Sequence, residues 1–214
     1  MILPVELDIF GIMEENAYFF IDDETRGGFL IDPGAEADEL LRIVEREKFK
    51  IEKILLTHGH YDHIGAANEI QRALKVPVCM GRGGNFYARD STNNGSKFFE
   101  QEIILDDVTI LEDTAEIFLS INPNFGLKVI AAPGHTLDGT IYYSEKNSVA
   151  FVGDTIFWGG HGRTDLAGGS ERDLMDTIKN KVFALPDKTT LLCGHGAPTT
   201  VAAEKIRSWY NFRE

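Results

Sequence analysis

A chain of 214 residues, 43% hydrophobic and 26% charged, has the size and composition for one large domain or two small ones with a sizeable buried core. Its 34 acidic residues outweigh 21 basic ones for a formal net charge of -13, which argues against gripping nucleic acid and against attraction to anionic lipid. No signal-peptide pattern opens the chain, no apolar run approaches the ~20 residues of a membrane span, and Cys79 and Cys193 are too few for a disulfide framework, so the cytoplasm is the expected compartment.

No linker, low-complexity segment or fixed-period repeat divides the sequence, and a single domain over 1–214 is expected. Strands are predicted over 5–10, 17–22 and 28–31, the last closed by Asp32-Pro33-Gly34. Leu40, Leu41, Val44 and Phe49 fall at roughly helical spacing and predict an amphipathic helix over 37–49. A short apolar strand over 51–56 runs directly into Thr57-His58-Gly59-His60-Tyr61-Asp62-His63-Ile64-Gly65, followed by a helix over 64–74 and a strand over 76–80. Residues 81–123 are turn-rich, with Phe86, Tyr87, Phe98 and Phe99 embedded. Their glycines lack the GK[ST] of a phosphate loop and no clear helix opens after them, so the region reads as a surface loop or substrate lid. A strand over 127–131 then leads into Pro133-Gly134-His135-Thr136. Strands over 140–143 and 149–152 form a hairpin through Glu145-Lys146-Asn147, the second ending at Gly153-Asp154. A helix over 171–183, a strand over 189–192 ending at Gly194-His195-Gly196, and a closing helix over 199–210 complete the chain.

Four apolar strands therefore end in turns carrying His or Asp, and five of the six histidines fall there. By chance an H-x-H-x-D-H string arises in on the order of a few per ten thousand chains of this length and composition. Neutral imidazole and carboxylate suit Zn²⁺, Fe or Mn. In His58-x-His60 the alternate side chains of an extended loop can point one way, while Asp62 and His63 follow a turn and can face a second point. Two metals are therefore a more natural reading than one, with Asp154 offering an oxygen to each. Two divalent ions, zinc first and Fe or Mn after it, are the expected cofactors; such a pair makes hydroxide available at neutral pH.

His58-x-His60-x-Asp62-His63, Pro133-Gly134-His135-Thr136, Gly153-Asp154 and Gly194-His195-Gly196, in this order, resemble the metallo-β-lactamase superfamily over nearly the whole chain. The resemblance implies an α/β fold, a four-layer αββα sandwich with the metal site at one edge between the two sheets. It implies that His58, His60 and His135 bind one metal and Asp62, His63 and His195 the other, with Asp154 bridging and Asp62 also orienting hydroxide for catalysis. Gly162-Arg163-Thr164-Asp165-Leu166 followed by Gly168-Gly169 resembles the small bacterial glyoxalase II-like branch, which implies a thioester hydrolase with a small-molecule substrate. The glutathione surface of glyoxalase II lies largely in a C-terminal domain outside this length, so the thiol carrier stays open.

Two departures from the family pattern stand out: Leu137-Asp138 replaces a Pro-Gly turn after His135, and His161 occupies a usually apolar position before the GRTDL segment. His161, Arg163, Trp158 and Tyr87 are candidate substrate contacts. His161 is a candidate general acid or a loop histidine, and Arg163 a carboxylate anchor or the ion-pair partner of Asp165. Asp32 is expected to orient a ligand, and Cys193 to pack on its strand. The alternative reading is a mononuclear iron persulfide dioxygenase using His58, His135 and Asp154; a lactonase also stays open, because lactones and thioesters present the same electrophilic carbonyl.

Overall fold

A computed structural model describes residues 1–99 and 101–207. The first half of the chain forms β1 (Ile2–Ile9), β2 (Met13–Ile21), β3 (Gly27–Ile31), α1 (Ala37–Glu47), β4 (Lys50–Leu55), α2 (Tyr61–Ile64), α3 (Ala67–Leu74), β5 (Val78–Met80), α4 (Asn85–Ala88) and β6 (Thr109–Ile110). The second half forms β7 (Glu116–Phe118), β8 (Gly126–Ala131), β9 (Thr140–Ser144), β10 (Val149–Gly153), α5 (Glu171–Thr177), β11 (Thr190–Cys193), β12 (Thr199–Thr200) and α6 (Val201–Ile206). Each half builds one six-stranded sheet, in the orders β1-β2-β3-β4-β5-β6 and β12-β11-β10-β9-β8-β7. β3, β4, β5 and β6 run parallel, as do β10 and β11, while the other neighbours are antiparallel.

Strand alternation sorts the apolar residues into layers. On β2, Ala17, Phe19 and Ile21 pack with Leu40, Ile43 and Val44 of α1 and Ile70 of α3. Tyr18 and Phe20, on the opposite face, pack with Leu127, Val129, Tyr142 and Phe151 of the second sheet. That sheet turns Ile141, Tyr143, Ala150 and Val152 outward onto Leu174 of α5 and Val201 of α6. The result is the αββα sandwich that the resemblance implied. Two buried tyrosines tie the sheets together: Tyr18 Oη donates to the Cys193 carbonyl (2.6 Å) and Tyr142 Oη to the Leu56 carbonyl (2.9 Å).

The elements depart from the sequence reading where backbone partners compete. α1 stops before Phe49 because Lys48 takes a left-handed conformation; the amides of Lys48 and Phe49 then bond back to Glu45 and Val44, and Phe49 is buried on the return. The helix expected over 64–74 is two helices, since the Ala66 amide donates to the Pro33 carbonyl at the break. The region over 81–123 is not all loop. α4 opens directly after its glycines, a 3₁₀ turn covers Ser96–Phe98, and β6 and β7 each close one edge of a sheet. The helix expected over 171–183 is α5, capped by the Ser170 hydroxyl, running on into a π-type turn at Ile178–Val182. In the closing segment Thr199 and Thr200 pair with β11, and the helix starts at Val201; residues 208–210 of the expected helix lie outside the described residues. Among the described residues no helix is long and apolar enough to cross a membrane.

Candidate metal centre

Strands β4, β8, β10 and β11 end at the same edge of the sandwich, and the loops after them supply the chemistry. His58 and His60 follow β4, Asp62 and His63 lie on α2, and His135, Asp154 and His195 follow β8, β10 and β11. Six of these seven side chains are buried; His195 is a quarter exposed.

They form two sets with one carboxylate between them. In the first, His60 Nδ1 lies 2.9 Å from His135 Nε2, and the His58 ring stands edge-on to both with centroids 4.8 Å away. In the second, Asp62 Oδ2 lies 3.2 Å from His195 Nε2 and 3.8 Å from His63 Nε2. Asp154 faces both: Oδ1 is 3.4 Å from His63 Nε2, and Oδ2 is 3.6 Å from both His135 Nε2 and His195 Nε2.

Groups behind the rings fix their orientation. His58 Nδ1 donates to Thr57 Oγ1 (3.2 Å), whose hydroxyl and amide donate to Asp32 (2.6 and 2.7 Å). His63 Nδ1 donates to the same Asp32 carboxylate (3.1 Å), so one residue braces a histidine of each set. His135 Nδ1 donates to the Arg163 carbonyl (2.7 Å) and His195 Nδ1 to the Glu14 carbonyl (2.5 Å). Each of these bonds leaves an Nε2 lone pair aimed at the centre. The glycine before His195 is needed for the close approach: a Cβ on Gly194 would stand 2.4 Å from Asp154 Oδ1 and 2.5 Å from His63 Cε1.

The electrostatics are those of a cation site. Burial, then the neighbouring imidazoles, hold His58 well below the usual histidine range, and burial with His135 pushes His60 down to about 3. Burial opposes charge on His63, but Asp154 and Asp62 prevail and raise it well above that range. The same pairing lowers Asp62 and Asp154 against their own desolvation. Buried His58 Nε2, His63 Nε2 and Asp154 Oδ1 have no hydrogen-bond partner, an arrangement that is costly unless a cation takes them. The donor set, nitrogen and carboxylate oxygen without sulfur, fits divalent zinc, iron or manganese.

The candidate substrate contacts are less concentrated. Tyr87 is buried with its ring 5.8 Å from that of His60, and its hydroxyl is engaged, donating to the Ala167 carbonyl (2.8 Å) and accepting from the Leu137 amide (2.9 Å). The Arg163 guanidinium is exposed and doubly bonded to Asp165 (2.6 and 2.7 Å), so its link to the centre runs through its backbone carbonyl. Exposed Trp158 lies under the Arg207 guanidinium at 4.6 Å, and His161 Nδ1 sits 2.8 Å from the Gly162 carbonyl. Cys193 is buried in the layer beneath α5.

Near the centre the sequence reading misses Glu15 altogether and the burial of Asp138, which it singles out only as a departure from the family pattern. Glu15 is fully buried, 3.7 Å from His63 Nδ1. Its signal is its position: it shares the face of β2 that carries Ala17, Phe19 and Ile21 into the core. In the Leu137-Asp138 departure, Leu137 is half exposed but Asp138 is buried beside the Gly59 backbone and the Thr136 hydroxyl, and burial pushes its carboxyl up to about 7.

Comparison with known proteins places this arrangement. Residues 12–195 match the family model described as Metallo-beta-lactamase superfamily. The chain is 34% identical over 197 residues to a probable metallo-hydrolase, YqgX, of Bacillus subtilis, covering 91% of each. It is 30% identical over 195 residues to the hydroxyacylglutathione hydrolase GloC of Haemophilus influenzae, covering 90% of each. The crystal structure of the BLEG-1 B3 metallo-beta-lactamase superposes with a TM-score of 0.90 at 30% identity, over 100% of both chains.

Proposed function

The chain belongs to the metallo-β-lactamase superfamily, and on that premise we propose that it is a binuclear metal-dependent hydrolase of thioesters, of the glyoxalase II-like kind, acting in the cytoplasm on a small-molecule substrate. One observation carries the two-metal reading: two complete three-residue sets converge, and Asp154 turns one oxygen toward His63 and the other toward His135 and His195. The GloC relative supports the thioester.

His58, His60 and His135 would hold one ion and Asp62, His63 and His195 the other, with Asp154 shared; zinc is the first expectation. When bound, such a pair lowers the pKa of water toward ~7 and polarises a carbonyl oxygen. The protein's own part is placement. Asp62 Oδ2 faces His195 Nε2 at 3.2 Å, two donors that would share the second ion, so that Oδ1 would be left to accept a hydrogen bond from the attacking water and aim it at the thioester carbon. Asp32, Thr57 and the Arg163 and Glu14 carbonyls keep the imidazoles from turning as charge develops. A thiolate leaves without a proton donor, so the site needs no dedicated acid.

The test joins metal content to three turnover assays: S-lactoylglutathione hydrolysis, β-lactam hydrolysis and persulfide-dependent oxygen uptake. The expected outcome is close to two metals per chain and thioester turnover, with Asp62→Ala reducing kcat by at least about 10²-fold. One iron per chain with oxygen consumption would replace this reading by the dioxygenase, and β-lactam turnover without thioester turnover would replace the substrate.

A further inference from the structure

Both histidines of the second ligand set are backed by one short piece of chain at the start of β2. The Glu14 carbonyl receives His195 Nδ1 at 2.5 Å, and Glu15 Oε1 lies 3.7 Å from His63 Nδ1, beside the 3.1 Å bond to Asp32. Asn16 holds the loop on either side of His195: its amide donates to the Gly194 carbonyl (2.8 Å), and its side chain to the carbonyls of Cys193 (3.2 Å) and Gly196 (2.9 Å). The first set is backed from elsewhere, His58 by Thr57 and His135 by Arg163.

Glu15 is the unexpected member. It is fully buried on an otherwise apolar strand face, and neither carboxyl oxygen has a hydrogen-bond partner. A leucine would fill that space without the cost of desolvating a carboxyl group. The carboxyl stands 3.7 Å behind His63 Nδ1, whose single N–H is given to Asp32 at 3.1 Å; an imidazole that ligates a cation through Nε2 polarises that N–H more strongly, and a second oxygen dipole behind it adds to the support without a hydrogen bond of its own.

We propose that residues 14–16 are a dedicated outer support of the second metal site, with Glu15 the positioning residue that holds the His63 ring and sets this site's affinity independently of the first. The inference rests on the two-metal reading above. Its test is a cobalt(II) titration of the metal-free protein, following the absorption of each bound ion, for the parent, Glu15→Leu, Glu15→Gln and Asn16→Ala. Glu15→Leu and Asn16→Ala are expected to weaken the second binding step about 10- to 100-fold and leave the first unchanged. Glu15→Gln keeps an acceptor oxygen behind His63 and should stay within about threefold of the parent. An unchanged second step in Glu15→Leu, or equal losses at both steps, overturns the proposal. The titration reads binding and not turnover, so a parent that binds two ions but cleaves no thioester would remove the thioesterase reading alone; a parent that takes up a single ion removes the two-metal reading and this inference with it.

Discussion

Asp138 shows what a single buried carboxyl group does when it stands near a charged centre without a cation of its own. Burial raises its pKa from the ordinary ~3.9 of an unfolded chain to about 7. A group raised in the fold contributes stability that is fully present below the unfolded value and is lost as pH climbs through the folded one. The metal-free protein should therefore lose up to about 4 kcal/mol from this residue between pH 4 and pH 7. Asp138→Asn removes the titration: thermal unfolding midpoints across that window should fall less steeply than in the parent, and at pH 8 the variant should be the more stable. Parallel profiles for the two proteins would show that Asp138 ionises freely. The proposed metal ligands are legible from the sequence because their spacing is dense and their chemistry uncommon. The burial of Asp138 and Glu15 is not: Asp138 lies in a turn without a period, and the alternation that places Glu15 on the face of Ala17, Phe19 and Ile21 becomes readable only once β2 is seen to start at Met13.

At the scale of elements, the centre depends on how strands stop. The turn after β8 passes Gly134 with φ +139, a conformation side chains rarely adopt, and a Cβ there would stand 2.2 Å from Leu174 Cα in α5. Gly134→Ala must therefore move either α5 or the His135 loop. It should cost about 1–3 kcal/mol in urea unfolding and weaken binding at the first metal site more than at the second. A variant with parent stability would mean that this turn is more compliant than its contacts suggest. Apolar runs such as Val149–Val152 in β10 and Leu191–Cys193 in β11 announce themselves in the sequence. The two-residue strands β6 and β12 do not: so short a segment has no period to read, and pairing with β5 and β11 makes them strands. The same limit hid α4 behind its glycines.

Over the whole molecule, each half of the chain builds one sheet, and the metal centre is where the halves meet. His58, His60, Asp62 and His63 come from the first half; His135, Asp154 and His195 come from the second. Bound ions would thus join the two sheets at the edge, while Tyr18 and Tyr142 join them inside. They would also relieve the crowding of Asp62, Asp154, Asp32 and Glu15 in a chain of net charge -13. Binding to the folded state alone stabilises it by about 4 kcal/mol at a thousand times Kd, which for a chain of this size is about 8–16 °C in Tm. Calorimetry with and without a chelator checks this; an unchanged Tm would mean that the ions are not bound across the two halves with useful affinity.

The sequence by itself determined the family and the αββα class and picked out the proposed donor residues, because strand alternation and ligand spacing are local patterns that survive without coordinates. Only the tertiary structure decided how closely the two expected sets approach, that Asp32 braces a histidine of each set, and that Glu15 and Asp138 are buried. It also showed that the Tyr87 hydroxyl and the Arg163 guanidinium already have partners. Except for the local Arg163–Asp165 pair, those facts depend on contacts between residues far apart in the chain: Asp32 with Thr57 and His63, Glu15 with His63, and Tyr87 with Ala167 of the other half, contacts that no local pattern encodes.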